Sequence, residues 1–224
     1  MPQRPTRLAT PRRRGLLAAS LVLCLGLSAC APLLVGGAVV GSVLVATDRR
    51  TSGAQLEDQG IELKAVSRVR EAISDRGNVS AVSYNRAVLL TGEVPTEADR
   101  AAVEAAITRV ENVRSVLNEL AVMGSSSLTA RSNDAIIGTR VKAAFVDSRD
   151  LAANAFKVVT ARGTVYLMGR VTEREAARAA EIARATPGVN RVVRVFEILS
   201  EADLAAMQPR SAGDGGTAAP APAR

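Results

Sequence analysis

An internal repeat constrains this chain of 224 residues more than any other feature. Ala87-Val-Leu-Leu-Thr-Gly-Glu-Val94 returns about 77 residues later as Thr164-Val-Tyr-Leu-Met-Gly-Arg-Val171. Self-similarity at a fixed spacing means that one supersecondary unit has been used twice. Val88, Leu90, Gly92 and Val94 fall on Val165, Leu167, Gly169 and Val171, an alternation with the period of a half-buried strand. The segments before them also match, Val79 to Tyr84 against Phe156 to Ala161. Each pair of strands therefore reads as a hairpin. Asn85-Arg86 and Arg162-Gly163 stand at the turns, each with one residue that tolerates positive φ. Neither is an ideal two-residue turn, so longer loops are expected.

Each hairpin leads into a helical pattern. Thr96 to Val110 places Val103, Ile107 and Val110 on one side. Thr172 to Thr186 places Ala176, Ala179, Ala180 and Ala183 on one side and a mixed row of Arg and Glu opposite, a solvated face. Pro187-Gly188 stops the second of these. A last strand follows in each copy, over 113–122 and 189–198. Each copy also opens with a helix. Matching Val69 and Ile73 to Val141 and Phe145 sets an offset of about 72 there, which predicts a longer connection in the second copy around 147–154. The expected fold is α+β, with two tandem α-β-β-α-β domains, each a three-stranded sheet with two helices on one face. The boundaries read as 61–122 and 133–199, joined by a linker over 123–132. The tail over 200–224 is Ala/Pro-rich and is expected to be disordered.

Residues 1–29 have the three parts of a secretory leader. These are Arg4, Arg7, Arg12, Arg13 and Arg14, an apolar run from Gly15 to Gly26, and the small residues Ser28-Ala29. Cys30 directly follows, so Leu27-Ser28-Ala29-Cys30 resembles a lipobox, which predicts acylation of Cys30. Each buried CH₂ of an acyl chain contributes roughly 0.8 kcal/mol, and two or three chains anchor durably. The leader carries five of the arginines and no acid, so the formal charge of +7 falls to +2 without it. A domain-wide basic footprint for nucleic acid is then absent. Cys24 leaves with the leader and there is no His, which excludes imidazole catalysis, the usual zinc sites and a disulfide staple. No cofactor or small-molecule substrate is expected. Ala31 to Ala46 is apolar, broken by Gly36, Gly37 and Gly41, and somewhat short for a span. It reads either as a tether at the membrane surface or as a segment that inserts or docks. Polar residues from Asp48-Arg49-Arg50 extend the tether to about Gly60.

Gly163-Thr-Val-Tyr-Leu-Met-Gly-Arg-Val-Thr-Glu-Arg-Glu-Ala176, with Pro187-Gly-Val-Asn-Arg-Val192, closely resembles BON domains. The duplication behind a lipobox, with Ala46-Thr-Asp-Arg-Arg50 before the first copy, is similar to the dual-BON lipoproteins of Gram-negative bacteria. The resemblance runs from Cys30 to about Leu199. It implies an anchor in the outer membrane facing the periplasm, a non-enzymatic role in envelope integrity, and anionic phospholipid binding by the second domain. Ala31 after the acylated Cys agrees with outer-membrane sorting in that family.

Comparison of the two copies suggests where lipid would bind. In the first helix of the second copy, Ile137, Val141, Ala144 and Phe145 should face the sheet. Ile136, Thr139, Ala143 and Val146 form a second stripe, matched at the offset above to Lys64, Ser67, Glu71 and Ser74. Arg140 and Lys142 stand nearby to meet phosphate oxygens, as suits an interfacial helix. The stripe also suits packing against the first domain, and both readings stand at this stage. Gly138 weakens this helix by roughly 1 kcal/mol relative to Ala. Glu173 and Glu175 alternate with Arg and read as surface. With no nucleophile–base pair and no phosphate loop, an enzyme is not expected. A protein-interaction adaptor, for outer-membrane assembly or cell-wall hydrolase regulation, is the alternative, with envelope proteins as partners.

Overall fold

The computed structural model describes residues 48–207. The first copy runs α1 (Ser52–Ile73), β1 (Asn78–Tyr84), β2 (Ala87–Val94), α2 (Glu97–Thr108) and β3 (Ser115–Val122). The second runs α3 (Leu128–Asp147), β4 (Phe156–Ala161), β5 (Thr164–Val171), α4 (Glu173–Ala185) and β6 (Arg191–Ile198). A short helix, α5 (Glu201–Met207), follows. The α-β-β-α-β order is therefore present twice. In each sheet the middle strand pairs antiparallel with its hairpin partner and parallel with the last strand.

Three boundaries differ from the sequence reading. α1 begins at Ser52, inside the stretch expected to be tether, because Thr51 caps it by accepting from the Ala54 amide. α3 begins at Leu128, inside the expected linker, because Ser127 accepts from the Ala130 amide in the same way. The expected disordered tail starts with α5, whose first turn is tied by Ser200 to Asp203.

The hairpin loops are two residues long, not longer. Tyr84 pairs with Ala87, and Ala161 with Thr164. Asn85, Arg86, Arg162 and Gly163 all have positive φ, the geometry of a type I′ turn. Three of the four are not glycine, and each L-residue there costs roughly 1 kcal/mol. An aspartate on the preceding helix offsets that cost in both copies. The Asp58 carboxylate accepts from the amides of Asn85 and Arg86 at 2.7 and 2.8 Å. Asp134 accepts from Arg162 and Gly163, both at 2.8 Å.

The paired aspartates, together with the caps Thr51 and Ser127, place the two first helices 76 residues apart, one helical turn from the expected offset. Ile61, Ala65 and Val69 are the counterparts of Ile137, Val141 and Phe145, and all six face their cores. The longer second connection is real, and half of its extra length arises because α3 ends two residues sooner than α1 does and half because β4 starts two residues later than β1.

Each pair of helices covers one face of its sheet. Val88, Leu90 and Val94 meet Val103 and Ile107 in the first core; Val165, Leu167 and Val171 meet Val141, Phe145, Ala179 and Ala183 in the second. The small alanines of α4 leave room for all three phenylalanines, with Phe156 between Phe145 at 5.2 Å and Phe196 at 5.9 Å. Gly138 lets α3 approach β4, since a Cβ there would stand 3.0 Å from Thr160 Oγ1.

The middle strands are buried on both faces, not half-buried. Leu89, Thr91 and Glu93 are as covered as their neighbours because the two sheets pack face to face. Both tyrosines lie in that interface: Tyr84 and Leu89 from one sheet meet Tyr166 and Met168 from the other. Polar contacts rim it. Lys157 pairs with Glu62 at 2.8 Å, Arg191 with Glu119 at 2.6 Å, and Asn85 donates to Glu197 at 2.6 Å. Small domains bury a limited fraction of their surface, and the shared sheet faces enlarge the apolar area removed from water.

Candidate functional site

Cys30 lies outside the described residues. The candidate membrane-facing surface lies on α3, and its geometry separates two stripes as expected. Ile137, Val141 and Phe145 are at most 9% exposed, whereas Ile136 is 49% and Val146 72% exposed. Thr139, Arg140, Lys142 and Ala143 are exposed as well. Thr139 donates its hydroxyl to the Ala135 carbonyl at 2.9 Å, so its polar atom is satisfied within the helix. The apolar cluster between the domains is built from strands alone. The first domain therefore covers its sheet partner and leaves this stripe open.

Leu128, 75% exposed, lies along the same line as Val146 and extends the stripe by about two turns beyond Ile136 toward the N-terminus. Reading 123–132 as linker hid it. The available signal was Ser127, a good N-cap residue three before the amide it serves. On the flank toward α4, Arg140 and Ala143 also line a shallow groove of about 560 Å³ with Ala144, Arg178, Ile182 and Pro187.

The corrected helix register changes the comparison between copies. Ile136, Thr139, Ala143 and Val146 correspond to Gly60, Leu63, Ser67 and Arg70, and not to Lys64, Ser67, Glu71 and Ser74. The first helix is also less polar than expected, with Leu56, Leu63 and Val66 each 59–73% exposed. A difference in charge remains. Arg140 corresponds to Lys64, which is paired with Glu111 at 2.9 Å. Pro187 stands where Glu111 stands, so Arg140 reaches only a carbonyl, at 3.5 Å. Among the described residues no carboxylate pairs with Arg140 or Lys142. Two free cations thus flank an uncovered apolar stripe, an arrangement that suits an interface between hydrocarbon and phosphate.

Among the described residues no cluster of carboxylates has metal-binding geometry, and no helix is long and apolar enough to cross a membrane. Exposed Glu111 and Asp150 have pKa values lowered by Lys64 and Ser148, and the partly buried carboxylates with lowered pKa are Asp58, Glu93, Glu175 and Glu197. For each of these four, burial pushes the pKa up and hydrogen bonds from the fold outweigh it. Asp58 holds a turn, Glu175 a cap and Glu197 the domain interface, while Glu93 accepts from Ser126 and holds the segment that leads into α3.

The BON domain model matches residues 61–124 and again 133–200. The chain belongs to the BON-domain family. Outer membrane lipoprotein DolP of Haemophilus influenzae is 40% identical over 176 residues, which cover 77% of this chain and 90% of that protein. The 21 kDa hemolysin of Actinobacillus pleuropneumoniae is 29% identical over 151 residues, 66% of this chain and 78% of that one. Among solved structures, CdsD, a structural protein of the type III secretion system of Chlamydia trachomatis, overlaps 66% of this chain and 99% of its own. Its TM-score is 0.27 at 13% identity, too low to bear on this chain.

Proposed function

We infer that this BON-domain protein is an outer-membrane lipoprotein that supports envelope integrity. Acyl chains on Cys30 hold it on the periplasmic face, and α3 of the second domain binds anionic phospholipid. The relative named as an outer membrane lipoprotein, matched over most of both chains, supports the location. The observation that carries the lipid reading is the open Ile136, Thr139, Ala143 and Val146 stripe beside the unpaired Arg140 and Lys142. Each cation should contribute about 1 kcal/mol near an anionic surface. Burying the exposed part of Ile136 adds about 1 kcal/mol. Vesicles with and without anionic lipid, offered the unlipidated protein so that the Cys30 anchor plays no part, test it. Ile136→Glu should abolish cosedimentation while circular dichroism stays native, and Lys64→Glu in the first domain should change little. Normal binding by a folded Ile136→Glu variant would remove α3 from the proposal.

The adaptor reading draws on a different surface, the exposed Leu56, Leu63 and Val66 of α1. Loss of envelope phenotype rescue by Leu63→Glu, with vesicle binding intact, would favour it.

A further inference from the structure

The carboxylate at the third position of each second helix, Asp99 in α2 and Glu175 in α4, has an arginine partner, but the two arginines come from different places. In the first domain Asp99 is met by Arg76 of the same domain at 2.8 Å. The connection that carries Arg76 corresponds in the second domain to the longer one over 148–155, and among the described residues its arginine, Arg149, does not pair with Glu175. There Glu175, equivalent to Asp99, is met by Arg49, which precedes the first domain. The two terminal guanidinium nitrogens of Arg49 each donate to one carboxylate oxygen at 2.7 Å. Arg49 also donates to the Arg170 carbonyl at 3.0 Å, and Arg170 donates back to the Arg49 carbonyl at 3.1 Å. Arg50 turns toward the first domain. It donates to Asp58 at 2.8 Å, lies 4.3 Å over the Tyr84 ring, and is held by Asp48 at 2.8 Å.

The two receiving carboxylates are structural groups of their own domains. Glu175 closes the capping box of α4 with Thr172, and Asp58 holds the first hairpin turn. Their side chains are only 7% and 3% exposed. A planar guanidinium meeting a carboxylate on two atoms is directional in a way that an ammonium is not. Buried pairs of this kind add little net stability over apolar packing, yet removing one partner is costly because it strands the other.

We propose that Asp48-Arg49-Arg50 is a two-pronged clasp, in which the segment leading from Cys30 completes the second domain with one arginine and pins the first with the next. Both are positioning residues. They fix the point on the domain pair from which the anchor segment leaves, and they make the second BON domain dependent on a residue that its own sequence lacks. The proposal does not rest on lipid binding.

The test uses the full chain with Arg49→Ala or Arg50→Ala, read by amide exchange and by trypsin. Arg49→Ala should expose the amides held by the α4 capping box, those of Thr172 and Glu175, and leave those of Asn85 and Arg86 protected. Arg50→Ala should do the reverse. Cleavage after Arg50 follows the open population, so it should accelerate about tenfold or more in Arg49→Ala. Arg49→Lys should restore resistance only in part, because an ammonium cannot meet both oxygens of Glu175 at once. Complete unfolding of the second domain alone by Arg49→Ala also supports the clasp. The proposal fails if wild-type protein is cut after Arg50 as fast as Arg49→Ala. It also fails if both variants loosen the same domain, or if neither changes exchange.

Discussion

Replacing Asp134 with Ala tests the device that sets the second hairpin. Asp134 accepts from two backbone amides at 2.8 Å, and the turn it holds has positive φ at Arg162 and Gly163. A hydrogen bond to a charged acceptor contributes about 1.5–3 kcal/mol when sheltered. Asp134 is partly exposed, so the two together are discounted to about 2 kcal/mol. With the domains melting together through their shared sheet faces, roughly 2–4 °C is lost per kcal/mol, so calorimetry should show a fall of about 4–8 °C. Exchange of the Arg162 and Gly163 amides should accelerate, while the Asn85 amide, held by Asp58, stays slow. Asp58→Ala should cost more, because Asp58 also accepts from Ser83 Oγ at 2.6 Å and from Arg50. A transition within about 1 °C of wild type, with both second-turn amides still protected, would refute the aspartate account of the turns and the helix register derived from it.

Acid should destabilise the protein in a defined window. Asp58, Glu93, Glu175 and Glu197 are held below their ordinary values of 3.8 and 4.5, so their contribution is complete above about pH 5 and lost as pH falls through the folded values. Melting temperature should be flat from about pH 7 to 5 and drop below about pH 4; stability that rises on acidification contradicts this. Met168→Glu places an unpaired charge between the sheets, where Met168 is 1% exposed, and should cost about 3 kcal/mol or more and split the single transition into two by calorimetry. Leu128→Glu should weaken binding to anionic vesicles without changing the melting temperature; unchanged binding would end the stripe at Ile136.

Much of the fold is legible locally because its signals are short-range. Period-two runs marked both hairpins, the stop at Pro187-Gly188 ended α4, and the repeat itself required two similar units. The core and solvent stripes of α3 separated correctly because a helix of known period must show Ile137, Val141 and Phe145 on one side. The counterparts of that helix in the first copy came out a full turn wrong. Hydrophobic matches at i and i+4 recur on any amphipathic helix, so they cannot tell one turn from the next. The Asp58 and Asp134 contacts that settle the register cross 27 to 29 residues of chain, and no local pattern carries them.

The sequence alone determined that there are two α-β-β-α-β units, where their strands lie, and which residue is the candidate for acylation. Each follows from periodicity or from a contiguous motif. Only the tertiary structure decided that the sheets pack face to face. A strand buried on both sides and one buried on a single side differ in neighbours, and Leu89 and Met168 look the same in either case. The same packing left the α3 stripe uncovered and brought Arg49 to Glu175 across 126 residues, a pairing of two common surface residue types that becomes specific only when both are buried together.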